Sequence, residues 1–368
     1  MQVGLRPGQK SAGIVAAAIV PHAPQLLSMP ETEDLDQVAR VKAKMQQIGD
    51  EMRALEPDLI VVISNSHGEE LVVDCVPALM IHCGDRANGA GKHKGRWQVD
   101  GEAGQQLTSL MMDEGFDPAF TFSNDLGTSF TVAYEYCGFA RESAFLPIFL
   151  NVYVPPQPSP QRCFSYGKAL ARCFERMGRR VALIISGGLS HYPATPMYPT
   201  PDLATDEVIF ERMKSGNLLY LMSLDAAALD KTGNVESRSL QVLAGCIGDR
   251  KPDHAILEPS WHHIYAVLGW TKMQDDEEYV PLYTGFTARH SEVARALNTL
   301  LKDDAAVTAY REDRAALASR FDFTPEQAAA FIQLDEDDLR LNFAVNPMLT
   351  YMVKLRVGAP LKHRTRIK

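Results

Sequence analysis

The stretch VALIISGGLSHYP (residues 181–193) is the part of the sequence that decides the fold. Its first residues, Val181–Ser186, are mostly apolar and partly β-branched, which predicts a buried β-strand. Two glycines then end the strand, and His191 follows them. Two other strand-like runs end in the same way: AAIVPH leads to His22, and VVISNSH leads to His67. Ligands of open α/β sheets bind beyond the carboxyl ends of the strands, so we expect these three imidazoles at one sheet edge.

Strand-like and helix-like segments alternate from about residue 12 to residue 290. The predicted strands are Gly13–Val20, Asp58–Ser64, Pro118–Phe122, Phe145–Val152 and Val181–Ser186. The predicted helices are Leu35–Leu55, Gly101–Glu114 and Gln161–Met177. Two later segments, HHIYAVLGW (262–270) and YVPLYTGF (279–286), are expected to complete the sheet. This alternation predicts an α/β fold with a mainly parallel sheet flanked by helices.

The last part of the chain, residues 291–368, has a different pattern that contains only short helices. They are SEVARALNTLL (291–301), TPEQAAAFIQL (324–334) and NPMLTYMVKLR (346–356). Thr-Pro and Asn-Pro at the start of the last two are helix-start signals, and the acidic run DEDD (335–338) suits a helix N-terminus. We therefore predict two domains: a catalytic α/β domain over residues 12–290 and a small all-helical domain over residues 291–368.

The composition is that of a soluble globular protein, with 46% hydrophobic and 23% charged residues. A formal net charge of −9 at pH 7 argues against nucleic acid or an anionic membrane as the main partner. The longest apolar run, GIVAAAIV, is too short to span a membrane, and the N-terminal stretch lacks the apolar core of a signal peptide. The six cysteines form no C-x-x-C pair. These features predict a cytoplasmic location with reduced thiols.

His22 and His67 follow consecutive strands and are candidates for a shared metal site. Two neutral imidazoles suit a divalent transition metal, and one added carboxylate gives the ligand set of non-haem Fe(II) oxygenases. The same set also holds hydrolytic zinc. Glu258, in the otherwise apolar HAILEPSWHH (254–263), is the preferred carboxylate, and Glu69 and Glu70 are the alternatives.

Two other stretches receive structural interpretations. The pair His262-His263 is interpreted as part of a strand, because WHHIYAVLGW is otherwise apolar and aromatic. The Gly- and Lys-rich residues 83–97 lack the spacing of a phosphate-binding loop and are interpreted as an exposed loop.

Four motifs carry a resemblance to a known family: VPHAP (20–24), SNSHGEEL (64–71), NVYVPPQPSPQRCFSYGKAL (151–170) and ISGGLSHYP (185–193). In them, residues 12–290 resemble the class III extradiol dioxygenases, the superfamily of protocatechuate 4,5-dioxygenase and gallate dioxygenase. The helical tail resembles the small α subunit of protocatechuate 4,5-dioxygenase. A catalytic part followed by an α-like part on one chain is the arrangement of gallate dioxygenase.

The resemblance implies an enzyme of aromatic catabolism that opens a dihydroxylated ring with O2, using Fe(II). It implies His22 and His67 as iron ligands, a glutamate near Glu258 as the third ligand, and His191 as the acid/base residue. A homodimer is the implied assembly. A zinc hydrolase and a non-catalytic member of the superfamily remain the alternative functions.

Substrate recognition departs from the family pattern at one position. Many relatives carry an Asp-His-Gly triplet whose histidine faces the substrate, whereas this chain has NDLGTSF with Leu126 in that place. Because Leu126 cannot form a hydrogen bond with a ring hydroxyl, the ring is expected to differ in its substituents; an aminohydroxy or hydroxypyridone-type ring is a candidate. The resemblance also suggests a substrate-side wall that contains Tyr283 and Thr284.

Overall fold

The computed structural model describes residues 12–65, 67, 75–273 and 291–362. The chain divides into two compact units, Met1–Asp276 and Glu277–Lys368. The strands of the first unit are β1 (Gly13–Val20), β2 (Leu59–Ser64), β3 (Leu79–His82), β4 (Arg86–Asn88), β5 (Arg96–Gln98), β6 (Ala119–Thr121), β7 (Leu146–Leu150), β8 (Arg180–Ser186), β9 (His254–Pro259) and β10 (Ile264–Trp270). Its helices are α1 (Gln25–Ser28), α2 (Leu35–Ala54), α3 (Gly101–Asp113), α4 (Thr128–Tyr136), α5 (Pro160–Met177), α6 (Leu203–Lys214), α7 (Ala226–Lys231) and α8 (Ser237–Ile247), with a 3₁₀ helix over Leu218–Ser223.

Eight strands form one sheet in the order β6-β3-β7-β2-β8-β1-β10-β9. The neighbours β7, β2, β8 and β1 are parallel to one another. β10 and β9 extend the sheet in antiparallel fashion beyond β1, and β3 is antiparallel to β7. The predicted α/β class with a mainly parallel sheet is confirmed. Because β2, β8 and β1 are adjacent and parallel, their carboxyl ends meet at one edge of the sheet.

Both faces of the sheet are covered, which explains why its central strands are continuous apolar runs. Side chains alternate between the faces along β1: Ala17 and Ile19 join the core beneath α3, α5 and α8, whereas Ala16 and Ala18 join the core beneath α2 and α4. All side chains of β2 and β8 are buried. Two hydrophobic cores therefore hold the central strands in place from opposite sides.

Residues between β3 and α3 form a small two-stranded sheet, β4–β5, rather than a simple exposed loop. Trp97 of β5 is fully buried, and the Arg141 guanidinium lies 4.5 Å from the centre of its ring. The connection between β4 and β5 carries Lys92 and His93. The expectation of an exposed loop over residues 83–97 is therefore wrong for the β4–β5 hairpin, which is anchored by the buried Trp97.

The second unit is helical over its described residues. Its helices are α9 (Ser291–Lys302), α10 (Asp304–Glu312), α11 (Arg314–Ala318), α12 (Pro325–Gln333), α13 (Glu336–Leu341) and α14 (Pro347–Val357). Thr324 caps α12 in a capping box, and Asn346 caps α14. The predicted helical character of this region is confirmed, whereas the predicted boundary after residue 290 stays a prediction. No helix in the described ranges combines the length and apolarity that a bilayer-spanning segment requires.

Candidate metal centre and active site

The structure brings His22, His67 and His191 together at the edge of the sheet. His22 follows β1, His67 follows β2 and His191 follows β8, which are three neighbouring parallel strands. The ring centres of His22 and His67 are 5.2 Å apart, and those of His67 and His191 are 6.0 Å apart. The convergence expected from the strand ends is thus a feature of the fold.

A carboxylate that the sequence reasoning missed lies among these histidines. Glu236 immediately precedes α8, and its side chain is completely buried. Its Oε1 atom lies 3.1 Å from Nε2 of His67 and 3.5 Å from Nε2 of His22. One donor atom from each of the three residues lies within 4.8 Å of the others, which is the spacing of a possible metal site. The signal in the sequence was a lone acidic residue directly before a helix, in GNVESRSLQVLAG.

The expectation that Glu258 completes this site is wrong. Glu258 lies on β9, the last strand of the sheet, and its carboxylate accepts hydrogen bonds from Arg40 Nε at 2.7 Å and Nη2 at 2.9 Å. This ion pair lowers the pKa of Glu258. Because both carboxylate oxygens are engaged by one guanidinium, the residue stabilises the sheet edge instead. The alternatives Glu69 and Glu70 lie outside the described residues.

Hydrogen bonds around His22 present one ring nitrogen to the site. The Ser186 hydroxyl donates its single proton to the backbone carbonyl of Ser129. His22 Nδ1 lies 3.0 Å from the same hydroxyl and must therefore donate to it. The proton of the neutral ring is thereby placed on Nδ1, and Nε2 keeps a lone pair directed toward Glu236. Partners of this kind are what orient metal-binding histidines.

The same reasoning defines the state of His191. Its Nδ1 lies 3.2 Å from the carbonyl oxygen of Leu189, which can only accept, so Nδ1 carries the proton and Nε2 is free to act as a base. Nε2 lies 2.8 Å from the hydroxyl of Tyr153, which is also 2.9 Å from Glu236 Oε1. The Tyr153 hydroxyl has one proton and two acceptors within reach, so it links the base to the carboxylate.

A buried aspartate holds the loop that carries His191. Asp206 Oδ2 accepts from the backbone N–H of Ser190 at 3.0 Å and from its hydroxyl at 2.5 Å, while Oδ1 accepts from Asn234 Nδ2 at 2.9 Å. The backbone N–H of His191 also donates to the carbonyl of Gly233. These bonds tie the loop after β8 to the segment that leads to Glu236. Burial raises the pKa of Asp206 to about 6.

The electrostatics of the site favour a cation. Burial alone would raise the pKa of Glu236, but the charges of His22 and His191 outweigh burial and hold that pKa well below its ordinary value. Burial lowers the pKa of His191, with Glu236 opposing the shift, and it raises the pKa of Tyr153 well above its ordinary value. The site therefore keeps a buried carboxylate ionised among three imidazoles, and an ionised carboxylate is what metal binding requires.

These residues open into a cavity of about 290 Å³. Its lining includes His22, His67, His191, Gln25, Tyr198 and His262. A cavity of about 150 Å³ is enough for a benzene molecule. The cavity therefore has room for a single aromatic ring with substituents.

Comparison with known proteins identifies the family. Residues 16–267 match the family described as the catalytic LigB subunit of aromatic ring-opening dioxygenase. The chain belongs to this family. The match covers most of the α/β unit, including β2, β8, the larger part of β1 and all the residues of the possible metal site. It supports the resemblance that the four sequence motifs indicated.

Several curated proteins are similar to part of the chain. The 2,3-dihydroxyphenylpropionate/2,3-dihydroxicinnamic acid 1,2-dioxygenase of Burkholderia vietnamiensis (strain G4 / LMG 22486) is 30% identical over 192 residues, which are 51% of this chain and 59% of that protein. The protein of the same name from Photorhabdus laumondii is 30% identical over 160 residues, 42% of this chain and 50% of that protein. The chain thus matches between half and three-fifths of the length of these relatives.

Two histidines that the sequence reasoning placed in a strand belong to the cavity of this LigB-family chain. His262 and His263 both line the cavity and precede β10, which begins at Ile264. The ring of His263 lies 4.7 Å from that of His191, and burial lowers its pKa well below the ordinary value. Lys92, from the connection between β4 and β5, also lines the cavity. The interpretation of these residues as strand and exposed loop is therefore corrected.

The expected substrate contacts have different outcomes. Leu126 is fully buried in the core beneath α2 and α4, its backbone pairs with Asn88 and Ala90, and it is not among the cavity-lining residues. The structure therefore gives it a packing role instead of the expected substrate contact. Tyr283 and Thr284 lie outside the described residues, as does YVPLYTGF.

Proposed function

We propose that this chain is a non-haem Fe(II) extradiol dioxygenase that opens a dihydroxylated or aminohydroxy aromatic ring with O2. The observation that carries the proposal is the cluster of His22, His67 and Glu236 beside His191, in a cavity sized for one ring. Membership of the LigB family supports it, and the named relatives are ring-cleaving dioxygenases. The homodimer and the cytoplasmic location inferred from the sequence stay predictions.

The donor set fits ferrous iron. Two imidazoles and one carboxylate form the ligand triad of non-haem Fe(II) oxygenases, which leaves one face open. The hydrogen bond from His22 Nδ1 to Ser186 leaves Nε2 available, and Glu236 is completely buried with Oε1 close to both histidines. When bound, the iron supplies sites for the ring oxygens and dioxygen and a route for electrons between them.

His191 is the proposed acid/base residue. Its Nδ1 proton is held by the Leu189 carbonyl, so Nε2 can accept a proton from a ring hydroxyl and return it during ring opening. The Tyr153 hydroxyl, 2.8 Å from Nε2, orients the ring of His191 before the substrate arrives. The backbone bonds of its loop keep Nε2 at the cavity when its protonation state changes.

Lys92 favours an anionic substituent on the substrate. It lines the cavity, and it forms no ion pair with any carboxylate in the described part of the chain. The named relatives act on 2,3-dihydroxyphenylpropionate, an aromatic diol with a carboxylate side chain. A carboxylated diol is therefore a rational first substrate to test.

The decisive experiment combines metal analysis with oxygen uptake. Protein purified without air should contain iron and consume O2 with at least one ring from a panel of 2,3-dihydroxyphenylpropionate, protocatechuate, gallate, aminophenols and hydroxypyridones. His191→Ala should retain iron and lose about 10²–10⁴-fold in turnover. His254→Ala is the matched control, because His254 pairs with Glu51 outside the cavity. Tightly bound zinc without oxygen uptake would favour the hydrolase instead.

A further inference from the structure

One wall of the cavity is a chain of four polar side chains that the proposed chemistry does not use. Gln25 Nε2 lies 3.3 Å from the Tyr198 hydroxyl, and this hydroxyl lies 3.1 Å from His262 Nδ1. His262 Nε2 lies 3.0 Å from Oε1 of the buried Glu33. Gln25, Tyr198 and His262 line the cavity, whereas Glu33 stands behind them. The wall thus connects a buried carboxylate to a phenol at the cavity surface.

The direction of each hydrogen bond follows from neighbouring groups that donate to Glu33. Trp261 Nε1 can only donate, and it lies 3.2 Å from Glu33 Oε1. The Ser260 hydroxyl donates to Oε2 of the same carboxylate at 3.1 Å. Glu33 therefore acts as an acceptor, and His262 Nε2 carries the proton that completes its set of donors. In the singly protonated ring with its proton on Nε2, Nδ1 accepts the hydrogen bond from Tyr198.

The proton of Tyr198 is consequently committed to His262. The Tyr198 oxygen can then only accept further hydrogen bonds, and Gln25 Nε2 supplies one of them. This fixes the orientation of the Gln25 amide, because Nε2 faces Tyr198 and Oε1 does not. Gln25 Oε1 is buried and has no hydrogen-bond partner among the described residues. Because Oε1 has almost no exposed surface, the Tyr198 oxygen is the acceptor that the wall presents to the cavity.

The wall is also rigid. The Tyr198 ring stacks on His262 with centroids 5.1 Å apart and an angle of 18° between the planes. The rings of Trp261 and Tyr198 meet edge to face, with centroids 5.7 Å apart. These contacts hold the phenol in place without a ligand, so little ordering is needed when a ligand binds.

We infer that Gln25 and Tyr198 form a subsite for a hydrogen-bond donor on the substrate ring, namely a hydroxyl or amino group in addition to the oxygens that the metal centre takes. This inference rests on the proposed function, because it assumes that a ring occupies the cavity. A methoxy or other aprotic substituent cannot donate a hydrogen bond to the Tyr198 oxygen. A site built to pair with an O–H or N–H group discriminates against an analogue that lacks it.

The test compares ligands that differ by one proton donor. Binding to the Fe(II)-loaded protein is measured by calorimetry without O2, using 1,2,3- and 1,2,4-trihydroxybenzene against 3-methoxycatechol and 4-methoxycatechol. We expect at least one trihydroxybenzene to bind about tenfold more tightly than its methyl ether. In Tyr198→Phe that preference should fall to about twofold or less. Tyr220→Phe is the matched control and should keep the preference, because Tyr220 is half-buried outside the cavity.

A second measurement is independent of iron and turnover. Nitrogen-15 NMR of the metal-free full chain should show His262 protonated on Nε2 and not on Nδ1, and Tyr198→Phe should shift the Nδ1 resonance. A proton on Nδ1, or equal affinities of the hydroxyl and methoxy ligands in the unmutated protein, would overturn the subsite. Failure of every catechol to bind would instead overturn the proposed function, and the subsite with it.

Discussion

The two halves of the cavity are built in different ways. The strand-end half consists of His22, His67 and His191, which follow adjacent parallel strands of a sheet that is buried on both faces. The loop half consists of Gln25, Lys92, Tyr198 and His262, which come from the short helix α1, the β4–β5 connection, a turn before α6 and the turn before β10. Sheet pairing places the first half, whereas side-chain contacts between separate segments place the second. The first half therefore suits a fixed metal centre, and the second suits substrate selection.

The largest expected effect separates the two glutamates that could complete the strand-end half. Glu236→Gln should lower iron affinity by more than about 100-fold, because the loss of a hydrogen-bond partner of a metal ligand already costs about 10–100-fold. Glu258→Gln should leave iron affinity unchanged, since it removes only the contact with Arg40. Competition with a chelator measures both. If Glu258→Gln lowered iron affinity and Glu236→Gln did not, Glu258 would be the ligand and the metal centre proposed for the strand-end half would be wrong.

A smaller effect is expected where the strand-end half itself depends on side chains. His191 lies further from its strand than the other histidines, and Asp206 fixes its loop. The pKa of Asp206 is raised to about 6 in the folded chain, so the unfolded chain loses this proton at lower pH than the folded chain does. The contribution to stability is therefore full below about pH 4 and is lost as the pH rises through about 6.

The measurement is the pH dependence of stability in two proteins. The free energy of unfolding of the unmutated chain relative to Asp206→Asn should fall by about 2–3 kcal/mol between pH 4 and pH 7. Urea unfolding of the metal-free chain at several pH values gives this difference. A difference that stays constant over the range would show that the aspartate is ionised throughout. In that case the His191 loop would be held by an ordinary carboxylate.

The difference between the halves also explains how much the sequence could predict. The strand over Gly13–Val20 has the predicted bounds, and the helix observed over Pro160–Met177 differs from the prediction by its first residue. A buried strand, a helix cap and a strand-end histidine are local patterns, so they could be read directly. Glu236 could not, because its role depends on α8, from a distant part of the chain, packing on one face of the sheet. Glu258 was misleading because its partner, Arg40, lies on α2.

The loop half was not predictable for a related reason. His262 looks like a strand residue in WHHIYAVLGW, since nothing in that stretch indicates that Glu33 and Tyr198 will bind its two ring nitrogens. Lys92 lies in a Gly-rich stretch whose placement depends on Trp97 and Arg141. Such residues are positioned by contacts between segments and not by the local sequence. Substrate specificity is therefore the property that a single sequence conveys least.

The smallest expected effect tests the charge of the loop half. Lys92→Met should raise KM for a carboxylated diol by about 5-fold and leave kcat nearly unchanged, because the ammonium group stabilises the bound substrate and the transition state equally. KM for an uncharged catechol should not change. Lys94→Met is the matched control, since Lys94 lies in the same connection but does not line the cavity. Equal effects of both substitutions would indicate long-range attraction of anions, which added salt would screen. A fall in kcat for every substrate would instead indicate that Lys92 acts in the chemical step at the strand-end half and not in substrate selection.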